Sequence, residues 1–312
     1  MGIIEIKKGD EVEIIHPKDV LELQSQIADV AFTLDFPIPP NMDSTQAKER
    51  QNLTIANAHW ALDNKRRRDL PLYACVQAWD LSAAQAVAAA IQQLRPRVFT
   101  LENVPRYLSS QSFTIILNTL ESLGYNVNYS LVNMADYGLP QARKRLVLVA
   151  CFGITLTLPP TSKLVGWYST ITSLSSANAH VIPTMPDSQL LPRQQQSLNQ
   201  FLATNEPAPL LIERVGGRKL SKYKPGSLPA NTILRSHFTD HKGCNRNKFA
   251  DIWLLDSTVK SLSIQAAAIL QGFPAWYKFP PQSATAGSII GYSVPPSFAS
   301  QLFTHIQQQL EQ

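Results

Sequence analysis

The sequence predicts an α/β protein in two parts: an α/β layer with a largely parallel sheet, then a smaller irregular domain. Three observations carry that prediction. Between residues 80 and 151, strand-like apolar runs alternate with helix-like runs, as they do in βα units. From about residue 154 to 260 the rhythm fades into a stretch rich in Pro, Ser, Asn and Gln, and it returns near Leu262. The length, 312 residues, has room for roughly two domains. The expected division is therefore 1–153 for the α/β layer, 154–260 for the irregular domain, and 261–312 as a segment returning to the first.

Taken in order, a helix is expected after Pro17 over DVLELQSQI, and a buried strand over Asp29–Leu34, closed by the Pro-rich turn Phe36–Asn41. Residues 42–70 are polar and read as a loop; the run Lys65-Arg66-Arg67-Arg68 is either a solvated surface or a patch for phosphates. Asp80 can cap an Ala-rich helix that runs to Leu94 and is stopped by Pro96. A short strand, Val98–Leu101, follows. A helix over Gln111–Leu123 should end on Gly124, which suits a left-handed position. Asn126–Val132 and Arg145–Cys151 read as strands, and Ser297–Leu310 as a last helix packing back on the first domain.

Composition excludes several classes. With 44% hydrophobic residues the chain can bury a core and is not of the disordered type. No apolar run approaches the roughly 18 to 20 residues of a membrane span, and the N-terminus shows no signal-peptide pattern. The three cysteines, Cys75, Cys151 and Cys244, are widely spaced and odd in number, which suits a reducing compartment; a soluble, cytoplasmic protein is expected. The net charge of +5 fits, without proving, a nucleic-acid partner.

Ligands of open α/β sheets sit beyond the carboxyl ends of the strands. The strand VFTL runs into Glu102-Asn103-Val104-Pro105, placing a carboxylate and an amide at such an edge; alone, this is also ordinary turn chemistry. A second cluster, Asp136-Tyr-Gly-Leu-Pro-Gln141-Ala-Arg143-Lys-Arg145, precedes the strand LVLVAC. Arginines at i and i+2 of an extended chain point the same way and can hold a base, phosphate or carboxylate. Two further clusters are Leu270-Gln-Gly-Phe-Pro274 and Ile290-Gly-Tyr292-Ser293-Val294-Pro-Pro296.

In this order and spacing, ENVPRYL, DYGLPQARKR, LQGFP and IGYSVPP resemble the cytosine-5 DNA methyltransferase family, over nearly the whole chain from about residue 29. The resemblance implies a Rossmann-like methyltransferase domain, with a target-recognition domain at about 154–260. It implies double-stranded DNA as partner and S-adenosyl-L-methionine as methyl donor. It also implies a target cytosine turned out of the duplex, since the reacting carbon is otherwise buried in the stack. Glu102 would protonate the ring at N3 as a thiolate adds at C6, Arg145 would hold O2, and Arg143 would support the site. Asn103, Val104 and Gln141 would line the base pocket. Pro37, Tyr292, Ser293 and Val294 fall where the cofactor is held. In the recognition domain, Arg235, Lys242, Arg246 and Lys248 are the expected DNA contacts.

The departures from the family pattern concern the methyl donor and the nucleophile. None of the 13 glycines forms a Gly-x-Gly, and the segment carrying the first strand and glycine loop is read as absent. Where Pro-Cys-Gln should follow DVAFTL stands Phe36-Pro37-Ile38-Pro39-Pro40-Asn41, with Pro39 at the nucleophile's place. Cys75, in Tyr-Ala-Cys75-Val-Gln77, loosely echoes the motif, but no buried strand is expected before it. The family's Gly-Asn-x-Val is here Gly291-Tyr292-Ser293-Val294. His237, His241 and Cys244 have metal-like spacing, but a DNA-reading loop accounts better for them and no metal is expected. The expectation is a DNA-binding homologue, a pseudoenzyme of the restriction-modification kind, with methyl transfer lost or impaired in this chain alone. The alternative is an active enzyme, alone or as one part of a split one. A missing first strand would leave a sheet edge for a homo- or hetero-oligomer to cover.

Overall fold

The computed structural model describes residues 2–8, 11–28, 31–36, 38, 42–78, 80–177, 185–214, 220–234 and 249–312. The chain forms two compact units that do not follow chain order: Met1–Phe99 with Arg106–Val127 and Ala150–Thr155, and Thr100–Pro105 with Asn128–Val149 and Leu156–Gln312.

In the first unit, β1 (Ile4–Lys8) pairs antiparallel with β2 (Glu11–Ile15), and α1 (Pro17–Ile27) follows as expected, with Pro17 in its first turn. Of the expected buried strand Asp29–Leu34, Asp29 and Val30 lie outside the described residues; among the other four, Ala31–Phe32 form β3, with Phe32 exposed. The polar stretch expected as a loop is instead a long helix, α2 (Ser44–Asn64), capped by Asp43, whose carboxylate accepts from the N–H groups of Thr45 and Gln46. The helix escapes pattern reading because its inner face is itself polar. Gln51 donates to the carbonyls of Gln77 (2.7 Å) and Ala83 (3.1 Å). Thr54 accepts from the Phe36 N–H (2.9 Å), and Asn57 bonds Gly2 and the Leu34 carbonyl.

A short strand β4 (Leu72–Tyr73), half-buried rather than buried, pairs parallel with β3 and precedes Cys75. Asp80 caps α3 (Leu81–Leu94) by accepting from the Ala83 N–H at 2.8 Å, as read from the sequence. Next comes β5 (Val98–Asn103), two residues longer than expected, so Glu102 and Asn103 are its last residues. Then α4 (Gln111–Ser122), packed on α3, is closed by Gly124 at φ +86°, a conformation glycine adopts without strain.

Two strands near the expected bounds follow: β6 (Tyr125–Asn133) and, beyond the two-residue β7 (Gln141–Ala142), β8 (Lys144–Phe152). They form a sheet ordered β5-β8-β6, whose middle strand is buried from Arg145 to Cys151.

The rest of the second unit contains α5 (Trp167–Ala177), α6 (Pro192–Thr204), β9 (Leu210–Glu213), β10 (Tyr223–Pro225), β11 (Ala230–Asn231), β12 (Ala250–Trp253), β13 (Val259–Ser261), α7 (Ile264–Leu270), α8 (Ser283–Tyr292) and α9 (Pro296–Leu310). An antiparallel sheet is ordered β10-β9-β12-β13. Among the pairings whose register is described, parallel pairing is confined to β3–β4 and β7–β11, each two residues long. Trp167, Ile171, Leu211 and Ile252 share one core with Ala267, Leu270 and Ile290, so the segment after 261 packs with the residues before it. The last helix meets Tyr137 edge to face through Phe298, at 5.1 Å between ring centroids.

Candidate active site

Glu102 ends β5, and Arg145 is the second residue of β8, its neighbour in the sheet. Their side chains meet: Arg145 Nε lies 2.9 Å from Glu102 Oε1, with 11% and 20% of the two side chains exposed. Arg145 also donates to the carbonyl of Lys144 at 2.8 Å. Burial raises the Glu102 carboxyl above its ordinary pKa, outweighing the opposing pull of Arg145 and Arg143. Arg145 is lowered by burial, against the attraction of Glu102. The arrangement is a carboxyl that holds its proton to higher pH than usual beside a guanidinium, at a strand's carboxyl end.

Arg143 does not face that edge openly. It is 2% exposed and donates to three carbonyls: Gly291 at 3.1 Å, Ser293 at 3.3 Å and Ile233 at 3.4 Å. Burial, then the neighbouring Arg145, lowers it to about 10. Asn103 turns its side-chain oxygen back to accept from the Val104 N–H at 2.8 Å, and the Val104 side chain is exposed. Gln141 is fully buried with both amide atoms engaged: the oxygen accepts from the Ile233 N–H (3.1 Å), and the nitrogen donates to Gln271 (2.8 Å) and to the Leu270 carbonyl (3.3 Å). Gln271, which sequence reading did not single out by itself, joins this network; its place inside the LQGFP cluster was the available signal.

Two glycines shape the turns around this network. Gly138, at φ +81°, precedes Leu139-Pro140-Gln141. Gly272, at φ +85°, lies so close to Ser297 and Leu139 that a Cβ would collide with the Ser297 hydroxyl oxygen.

A family model described as C-5 cytosine-specific DNA methylase matches residues 84–308. The chain belongs to this family. The match takes in Glu102, Arg143, Arg145, Gln271 and the turn after α8, and residues 1–83 lie outside it. The type II methylase M.HgiDII of Herpetosiphon aurantiacus is 27% identical over 244 residues, covering 71% of this chain and 67% of that one. The type II methyltransferase M.AplI of Arthrospira platensis is 26% identical over 227 residues, covering 71% and 60%. The chain thus spans about two thirds or less of the length of these methylases. A solved structure of a putative DNA modification methyltransferase encoded in an E. coli prophage aligns at a TM-score of 0.47 and 17% identity, covering 75% of this chain and 76% of that one; the family assignment rests on sequence.

C-5 cytosine methylases use S-adenosylmethionine. Of the four residues expected to hold it, three are described. Pro37 lies outside the described residues. The carbonyl of Ser293 already receives Gln271 (2.9 Å) and Arg143, and its hydroxyl donates to the Ile289 carbonyl (2.5 Å). Tyr292 and Val294 present exposed side chains. Cys75 is exposed, yet partial desolvation and then the Asp35 carboxylate push its thiol pKa up, the direction opposite to the one that activates a nucleophilic thiol. The expected DNA contacts Arg235, Lys242, Arg246 and Lys248, and the His237–Cys244 pattern, lie outside the described residues. Among the described residues, no cluster suits a metal and no helix is long and apolar enough to cross a membrane.

Proposed function

We propose that this chain is a cytosine-5 DNA methyltransferase homologue that binds double-stranded DNA and receives an extruded cytosine at Glu102 and Arg145, with methyl transfer lost or impaired in this chain alone. The Glu102–Arg145 pair carries the reading: a buried carboxyl whose proton affinity is raised, 2.9 Å from a guanidinium. Cytosine offers a ring nitrogen, N3, next to a carbonyl, O2. A protonated carboxyl can donate to N3, and a guanidinium has donors to share between the carboxyl and O2. Extrusion brings that edge of the base within reach of the strand end. The same pair draws electrons from the ring and so favours nucleophilic attack at C6. No described thiol is activated for that attack, which is what supports impaired chemistry.

The test uses purified full chain, mixed-sequence duplex DNA and labelled S-adenosylmethionine. The expected result is duplex binding that weakens steeply with salt, and no label at cytosine C5. Failure to bind duplex overturns the DNA reading. Incorporated label overturns the loss of chemistry and turns attention to Cys75, to be checked by C75S.

A further inference from the structure

Within the second unit, four segments distant in sequence meet through buried amides and one guanidinium. Gln141 and Gln271 are fully buried, and the Ile233 side chain is too. The Gln141 amide nitrogen donates to the Gln271 amide oxygen at 2.8 Å, and the Gln271 nitrogen donates to the Ser293 carbonyl at 2.9 Å. That polarity fixes both amides, because reversing either would set two donors or two acceptors face to face. The chain of bonds continues at each end. Arg143 also donates to Ser293, and the peptide groups of Ile233 are held on both sides, its N–H by Gln141 (3.1 Å) and its carbonyl by Arg143 (3.4 Å).

The consequence lies in what these segments carry. Gln141 and Arg143 alternate on the same extended run as Arg145, the residue paired with Glu102. Ile233 stands two residues before Arg235, the first of the expected DNA contacts. Gln271 touches neither Glu102 nor Arg145 by any described bond, yet through Gln141 it braces the run that carries Arg145 against the segment that leads to Arg235. Two directional bonds at 2.8 and 2.9 Å fix position along the strand, which apolar packing does weakly.

We propose that Gln271 is a positioning residue for base recognition: through Gln141 and Ser293 it sets the register in which the Arg143–Arg145 strand meets the Ile233 segment. This rests on the reading of the chain as a DNA-binding homologue. Bound DNA is gripped by phosphates, which give affinity and salt dependence, and read at base edges, which give preference between sequences. A displaced strand register disturbs the second and leaves the first.

The experiment recovers a preferred duplex from a random-sequence pool by repeated binding to the wild-type chain. It then measures affinity for that duplex and for a scrambled one across a salt series. Two variants are compared: Q271M, which removes both bonds, and Q271E, which keeps the acceptor for Gln141 and places a second acceptor against the Ser293 carbonyl. The expected result is a fall of about tenfold in the preference ratio for Q271M, at an unchanged salt slope, with Q271E also lowered. A folded variant that keeps the wild-type ratio overturns the proposal, as does a fall in affinity with a reduced slope and the ratio intact. Loss of the cooperative melt in both variants assigns Gln271 to the scaffold alone and also overturns it. If the wild type binds duplex without preference, this proposal fails and the DNA reading stands; if it binds no duplex, the DNA reading itself fails.

Discussion

Arg214 grips both oxygens of Asp251: Nε donates to Oδ2 at 2.5 Å and Nη2 to Oδ1 at 3.0 Å. Ser188 adds a hydroxyl to Oδ1 at 2.7 Å, and Gln194 an amide to Oδ2 at 2.9 Å. The carboxylate, wholly buried on β12, therefore gathers three segments of the second unit around the antiparallel sheet. Removing it strands a guanidinium, an amide and a hydroxyl in the interior. D251A should cost about 3–5 kcal/mol in urea unfolding. A loss below about 1 kcal/mol would show that water reaches and satisfies those groups.

The raised proton affinity of Glu102 fixes a pH dependence. The folded state holds this proton more tightly than the unfolded state, so the contribution to stability is full below the ordinary glutamate value and is lost as pH rises through the raised one. The stability of the wild type relative to E102Q should therefore fall as pH rises from the ordinary glutamate range through the raised one, read by urea unfolding at stepped pH. A flat or rising difference contradicts a carboxyl raised by burial.

The basic run after α2 is two pairs rather than one patch. Lys65 donates to the carbonyls of Arg68 (2.9 Å) and Leu70 (2.7 Å), and Arg67 to Asp69 (3.2 Å) and the Ala28 carbonyl (2.9 Å). Arg66 and Arg68 are exposed. If the run meets DNA, R66Q and R68Q should each lower the salt slope of duplex binding by about 0.9 with little change in melting temperature. K65M should lower the melting temperature, because the carbonyls of Arg68 and the partly buried Leu70 lose their donor. An unchanged slope in the double variant R66Q/R68Q removes the run from the DNA surface.

Gly272 predicts a backbone effect. At φ +85°, with a Cβ driven against the Ser297 hydroxyl and 3.0 Å from Leu139, G272A should destabilise by about 1–3 kcal/mol. Pairing it with S297G tests the origin: relief of the clash should recover part of the loss, leaving the conformational part.

How much of this was legible in the sequence depended on whether the signal was local. Asp80 before an Ala-rich run and Gly124 after an apolar one mark α3 and α4 almost to the residue, because caps are local chemistry. Glu102 and Arg145 were each readable at the end of a strand, but that the two strands are neighbours was not. The helix α2 was not readable, since half of its buried positions are the polar Gln51, Thr54 and Asn57 and the rest are the small Ala47, Ala58 and Ala61, so no stripe of large apolar residues marks it. The strand expected at Asp29–Leu34 stops at Phe32, and its partner β4 is itself only two residues long. The role of Gln271 stayed hidden because it exists only once residues 130 positions apart have met.

The inward face of α2 also says what kind of change the first unit can absorb. Gln51, Thr54 and Asn57 lie three apart, so one face of one helix tethers stretches of chain around Gly2, Leu34–Phe36 and Gln77–Ala83. An apolar stripe forgives a slight rotation; a row of polar side chains bonded to individual peptide groups does not. Adding or deleting a single residue early in α2, before Gln51, swings everything downstream by roughly 100° about the helix axis. All three tethers then let go at once, whereas a point substitution at any one of them releases a single loop. Changes of length in this helix are therefore the lesions the unit is least equipped to survive.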